Sequence, residues 1–100
     1  MPQRMLALAA CCVALHAQGA DRPASAAHAR SLAATCASCH SSTSDSSIPS
    51  LDAMPQPSIA QAMRDFRAGK RAGTVMPQLA RGYTDEQIDV IARWYSARSR

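Results

Sequence analysis

The chain has 100 residues, 47% hydrophobic but only 4% aromatic, with a formal net charge of +4 and 18% charged residues. That length holds one small domain and excludes a multidomain enzyme, and the lack of a long single-sign run argues against a disordered chain or a nucleic-acid-binding tail. One Trp, two Tyr and one Phe fill too little volume for a self-sufficient interior, and domains of this size draw stability from disulfides, metals or a cofactor.

In chain order, Met1 to Arg4 is a short positive start and Met5 to Ala17 is an almost unbroken apolar run. At about thirteen residues the run is too short to span a bilayer. It reads as the core of a cleaved secretory signal, with processing after Ala17 or Gly19, or within Ala24-Ser25-Ala26. The expected organisation is a signal peptide over 1–24, its cleavage site within about 17–26, and one domain over 25–100. The expected location is the periplasm. Leu8-Ala9-Ala10-Cys11 also resembles a bacterial lipoprotein box, which would leave Cys11 lipidated and the protein tethered to a membrane; the apolar run continuing from Val13 to Leu15 speaks against it. Of the four cysteines, Cys11 and Cys12 fall in the leader and the domain keeps Cys36 and Cys39.

From about Ser25 to Thr35 the Ala-rich sequence, free of Gly and Pro, predicts a first helix that runs into the cysteine pair. Ser41 to Ser47 is polar and favours a loop, because its side chains compete for backbone hydrogen bonds, and Pro49, Pro55 and Pro57 extend the irregular region. Ile59, Ala62, Met63 and Phe66 recur at three- and four-residue steps, predicting a second helix from about Gln56 to near Gly69. Gly69 to Gly82 reads as another loop. Thr84-Asp85-Glu86-Gln87 is a capping-box pattern opening a last helix, whose face is Ile88, Ile91, Ala92 and Tyr95, to about Arg98. No alternating segment or repeat is visible. The fold class expected is all-α, with three main helices and long loops.

Cys36-Ala37-Ser38-Cys39-His40 is a C-x-x-C-H sequence, the signature of covalent haem attachment. Two thiols one helical turn apart can both reach the vinyl groups along one edge of a porphyrin, and the next residue then offers its imidazole to the iron. His40 is the candidate proximal ligand. Three other readings stand beside this one. A redox dithiol needs a βαβ setting that the helical pattern lacks; a zinc site would need His28 as a distant fourth ligand; and a disulfide between Cys36 and Cys39 would close a very small loop and leave His40 unexplained. A haem would also supply the missing apolar volume.

From Arg30 to Tyr95 the chain resembles class I cytochromes c, and within them the cytochrome subunits of flavocytochrome c sulfide dehydrogenases and cytochrome c4-type domains. The matching residues are Leu32-Ala33-Ala34-Thr35 running into the C-x-x-C-H, Ile48-Pro49-Ser50-Leu51, Arg64-Asp65-Phe66-Arg67-Ala68-Gly69-Lys70-Arg71, Thr74-Val75-Met76 and Gly82-Tyr83-Thr84-Asp85-Glu86. The resemblance implies a class I cytochrome c fold wrapped around one haem c, bound covalently by Cys36 and Cys39, with His40 as proximal ligand and Met76 as distal ligand. It also implies that the Pro49 carbonyl accepts the other imidazole proton of His40, fixing its tautomer. Among the other methionines, Met63 reads as core and Met54, in a Pro-rich loop, is the second candidate for the iron. Trp94 and Tyr95 are expected to pack on the first helix and the haem edge. The family's glycines after the haem His and after the Ile-Pro-x-Leu segment are replaced here, the second by Ala53, so a different path is expected for those loops.

These features predict a one-electron carrier with fixed axial ligands and no catalytic group of its own. It is either the haem subunit of a sulfide-oxidising flavoprotein or a free shuttle between electron donor and acceptor proteins. The alternative is a haem ligand-binding or sensor domain with a labile sixth ligand. Arg64, Arg67, Lys70 and Arg71 form a positive stretch that either steers an acidic partner or is a solvated helix end. No nucleic acid is expected as a partner, and a membrane only if Cys11 is lipidated.

Overall fold

A computed structural model describes residues 24–43 and 47–100, and the leader expected over 1–24 therefore lies almost wholly outside the described residues. The regular structure there is four helices: α1 (Ala26–His40), α2 (Gln56–Arg67), α3 (Met76–Ala80) and α4 (Asp85–Ser96). This is the all-α architecture the sequence predicts, with one addition. The short α3 lies where the sequence reads as loop.

Each boundary has a local cause. Ser25 caps α1, its hydroxyl accepting from the His28 N–H at 3.2 Å. The helix carries on through both cysteines and ends at His40, since Ser41 is extended (ψ 164°). α2 has no side-chain cap, but Pro57 in its first turn has no N–H to leave unsatisfied. It stops at Gly69, which takes φ +73°, while the Lys70 N–H reaches back to Asp65 O at 2.8 Å and the Gly69 N–H to Phe66 O at 3.2 Å. That is the paired termination in which a left-handed residue lets two orphan carbonyls be satisfied. α4 opens with the predicted reciprocal pair, Gln87 N–H to Thr84 Oγ1 at 3.2 Å and Thr84 N–H to Gln87 Oε1 at 3.0 Å.

α4 is the central element. It packs on α1 and on α2, and α2 packs in turn on α3. Ile88, Ile91, Ala92 and Tyr95, the predicted face, are all buried. They meet Ala33 from α1, Ile59, Ala60 and Met63 from α2, and Ala80 from α3. On α2 the buried small residue is Ala60, and Ala62 is only half-buried, because the face turned to α4 and α3 is centred one position earlier than the sequence suggests. Ile88 and Ile91 are the largest fully buried side chains. Each contributes about 1.5–3 kcal/mol by burial. Between α1 and α4 the Tyr95 hydroxyl donates to the Ala33 carbonyl at 2.5 Å. Gly73 is needed where the loop before α3 passes Phe66 and Pro77: a Cβ there would meet Pro77 Cδ at 3.1 Å and Phe66 Cε1 at 3.2 Å.

Candidate functional site

The C-terminal half of α1 carries the C-x-x-C-H sequence in helical register. Cys36 and Cys39 are both free thiols one turn apart. Cys36 is half-buried against the core and burial pushes its thiol pKa up, whereas Cys39 is exposed. A disulfide between them is not formed. The redox-dithiol reading lacks its setting, since no strand occurs among the described residues. Nor do three His, Cys, Asp or Glu side chains converge there as a metal site, which removes the support for zinc.

His40 is the last residue of α1 and is gripped from two directions. Its Nδ1 lies 2.7 Å from the Pro49 carbonyl oxygen, and its own carbonyl accepts from the Leu51 N–H at 3.4 Å. A carbonyl can only accept, so the proton sits on Nδ1 and the Nε2 lone pair is left for another ligand. The Pro49 carbonyl is thus the acceptor beside the His40 ring. In the segment after Pro49, Ala53 adopts φ +61°, a left-handed conformation that glycine would take without strain. The other departure falls in the Ser41 to Ser47 loop, of which residues 44–46 lie outside the described residues.

A set of half-buried apolar side chains packs on the core, among them Leu32, Cys36, Leu51, Met54, Phe66 and Met76. Met76 begins α3, where Pro77 fixes the first turn. Met63 is a core residue, as the spacing predicts. Tyr83 joins the loop before α4 to α1 through its hydroxyl, 3.3 Å from Thr35 Oγ1, one residue ahead of Cys36. Trp94 is half-buried on the core and Tyr95 is buried beside α1.

The positive stretch is less free than its sequence suggests. Arg64 pairs with Asp85 at 3.3 Å and Asp89 at 2.7 Å, and Arg67 pairs with Asp85 and donates to the Tyr83 carbonyl at 3.0 Å. Arg67 and Arg64 hold the Asp85 carboxyl below its ordinary pKa, and Asp89, followed by Asp85, raises that of Arg64. Arg71 lies over the Phe66 ring, 4.8 Å from its centre. Two of the four cations are thus committed to holding α2 to the start of α4, which leaves Lys70 and Arg71 as those without an ion pair among the described residues.

Sequence reasoning also missed Asp52. It is buried, at 8% exposure, and is bound by Arg98 and Arg100. No local pattern connects residues 46 and 48 positions apart; a carboxylate directly after the Ile-Pro-Ser-Leu run was the one available signal.

No family model matches the chain. The chain is 36% identical over 86 residues to the cytochrome subunit of sulfide dehydrogenase from Chlorobaculum tepidum, an overlap covering 84% of this chain and 78% of the relative.

Proposed function

The chain belongs to the family of sulfide dehydrogenase cytochrome subunits, and we propose from that premise that it is a periplasmic one-electron carrier holding a single haem c. The observation that carries the reading is the hydrogen bond of His40 Nδ1 to the Pro49 carbonyl beside two free thiols one turn apart. This donor set suits the group: thiols for two thioether bonds, and an imidazole with its tautomer fixed and one nitrogen unspent. Bound there, haem iron would shuttle one electron between its ferric and ferrous forms. Cys36 and Cys39 would anchor it, His40 Nε2 would be its proximal ligand, and the Met76 thioether would be the distal one, favouring the ferrous form. The Pro49 carbonyl holds the Nδ1 proton and so makes His40 the stronger donor. The half-buried margin of Leu32, Leu51, Phe66 and Met76 would exclude water from the porphyrin faces.

The relative's name supports the subunit role over the free shuttle. In that role the chain would receive electrons from a flavoprotein partner that oxidises sulfide, pass them to a downstream acceptor, and do no catalysis itself. Residues 1–24 would be its signal peptide and 25–100 the mature domain.

The test is to purify the exported protein, determine its mass and N-terminus, and record its spectrum in both redox states. A covalently retained haem, a mature chain starting within about 17–26, and the weak long-wavelength band of Met-ligated ferric haem are the expected results. Absence of a Soret band would sink the haem assignment. Rapid, complete binding of carbon monoxide by the ferrous protein would instead favour the sensor reading with a labile sixth ligand. Copurification of a flavoprotein would support the subunit role.

A further inference from the structure

The acceptor that fixes His40 belongs to a stretch with no regular structure of its own, and something else must hold it still. Three bonds from the end of α4 and the residues after it converge three and four positions beyond Pro49. Arg98 Nε donates to Asp52 Oδ1 at 2.8 Å, Arg100 Nε donates to the Asp52 carbonyl at 3.2 Å, and the Ala53 N–H donates to the Tyr95 carbonyl at 3.0 Å. Asp52 is the buried charged residue among those described. Its side chain is 12% exposed against 51% for Arg98, so the pair takes a carboxylate largely out of water for an arginine that stays half in it. Such an arrangement is a weak source of net stability, because desolvating the carboxylate offsets much of the attraction. What it does supply is a fixed place for the carboxylate's backbone.

We propose that Asp52, clamped by Arg98 and Arg100, is a positioning group for His40, acting through the 49–51 segment. From Asp52 the chain runs back through Leu51, whose N–H is bound to the His40 carbonyl, to Pro49, whose carbonyl receives the His40 ring proton. The ring of Pro49 removes one backbone freedom from that short path. Ala53 is strained at φ +61°, and the bonds at residues 52 and 53 hold it there. The end of α4 thereby sets how tightly the last residue of α1 is held. The proposal deepens the reading of His40 as an iron ligand and rests on it for its redox consequence.

The experiment compares the exported protein with Arg98→Ala, Arg98→Lys, Asp52→Ala and the core control Ile91→Val. Three quantities are read: the 15N shifts and Nδ1 proton exchange of the His40 ring, the midpoint potential, and the unfolding midpoint. Loosening the Pro49 acceptor should speed Nδ1 exchange by about fivefold to tenfold, the size expected for losing much of one hydrogen bond. It should also move the potential upward, because a less strongly hydrogen-bonded imidazole donates less to the ferric iron. Arg98→Lys should restore most of both. Ile91→Val should lower the unfolding midpoint while leaving the ring and the potential unchanged. The proposal is overturned if Arg98→Ala and Asp52→Ala lower stability with His40 exchange and potential as in the parent. If the parent carries no covalent haem, the ligand reading fails separately, and the ring 15N shifts still report whether removing Arg98 frees the His40 tautomer.

Discussion

The side of the molecule where α2 meets α4 and the side where α1 ends at His40 are closed by different chemistry. Between α2 and α4, protein groups complete one another: Ile59, Met63, Ile88 and Ile91 are buried together, and Arg64 and Arg67 seal the edge on Asp85 and Asp89. On the other side His40 ends α1 on a hydrogen bond to the irregular 49–51 segment. Leu32 and Cys36 of the same helix and Leu51 and Met54 beyond Pro49 are only partly covered, and the 49–53 segment is held by single hydrogen bonds and one buried carboxylate. The difference teaches that burial by the chain alone stabilises the first side, whereas on the second the proposed haem would have to supply the remaining cover. Substitutions on the two sides should therefore separate in what they change.

The sharpest break falls on the His40 side. Changing Cys36 and Cys39 together to Ser should abolish covalent haem, read as complete loss of haem stain on a denaturing gel. Stain surviving in that double variant would defeat the assignment. On the other side, Ile88→Ala should cost about 2–5 kcal/mol in urea unfolding and, where the chain still folds, leave the potential unchanged. A potential that moved with Ile88 would erase the distinction between the two sides.

Tyr95 bridges them. Its buried hydroxyl is bound to Ala33, and burial, with lesser influence from neighbouring charges, pushes its pKa from 10.0 up to about 12. The unfolded chain begins releasing that proton near pH 10 while the folded chain still holds it. This contribution to stability is thus fully present below about pH 10 and is lost as pH rises toward 12. Tyr95→Phe should cost about 1–2 kcal/mol at neutral pH and make stability fall less steeply across that alkaline window, as denaturant midpoints at several pH values would show. An unchanged alkaline slope would mean that another group governs it. The smallest effect is a gain: Ala53→Gly relieves the left-handed alanine and should raise stability by about 0.5–1 kcal/mol, visible as a higher melting temperature. A lower one would show that φ +61° is no burden there.

What could be read beforehand follows the range of the physics involved. α4 was legible to the residue at its start and within two residues at its end, because its capping pair and its apolar face are written at steps of three and four. α1 was legible as a helix from its alanines, but its buried face was not, since Ala33 looks no different from its neighbours until Tyr95 and Ala92 cover it. α3 escaped because five residues are too few to show a period, and Met76-Pro77 reads as loop wherever it stands. The C-x-x-C-H sequence was legible because its chemistry is confined to one helical turn. The ion-pair partners of Arg64, Arg67 and Asp52 were not, because they lie 18 to 46 positions away and ion pairs leave no periodic trace.

The arginines committed to α4 bear on how a partner would be met in solution. Salt screens exposed charges over about 8–10 Å at ordinary ionic strength, and the rate of a charge-steered encounter falls with it according to the charges still available. At this helix end those are Lys70 and Arg71, which form no ion pair among the described residues. Arg64 and Arg67 are already answered by carboxylates 2.5–3.3 Å away. A plot of association rate against ionic strength would thus count this end as two charges where the bare sequence counts four, and any steeper slope has to come from cations elsewhere on the chain.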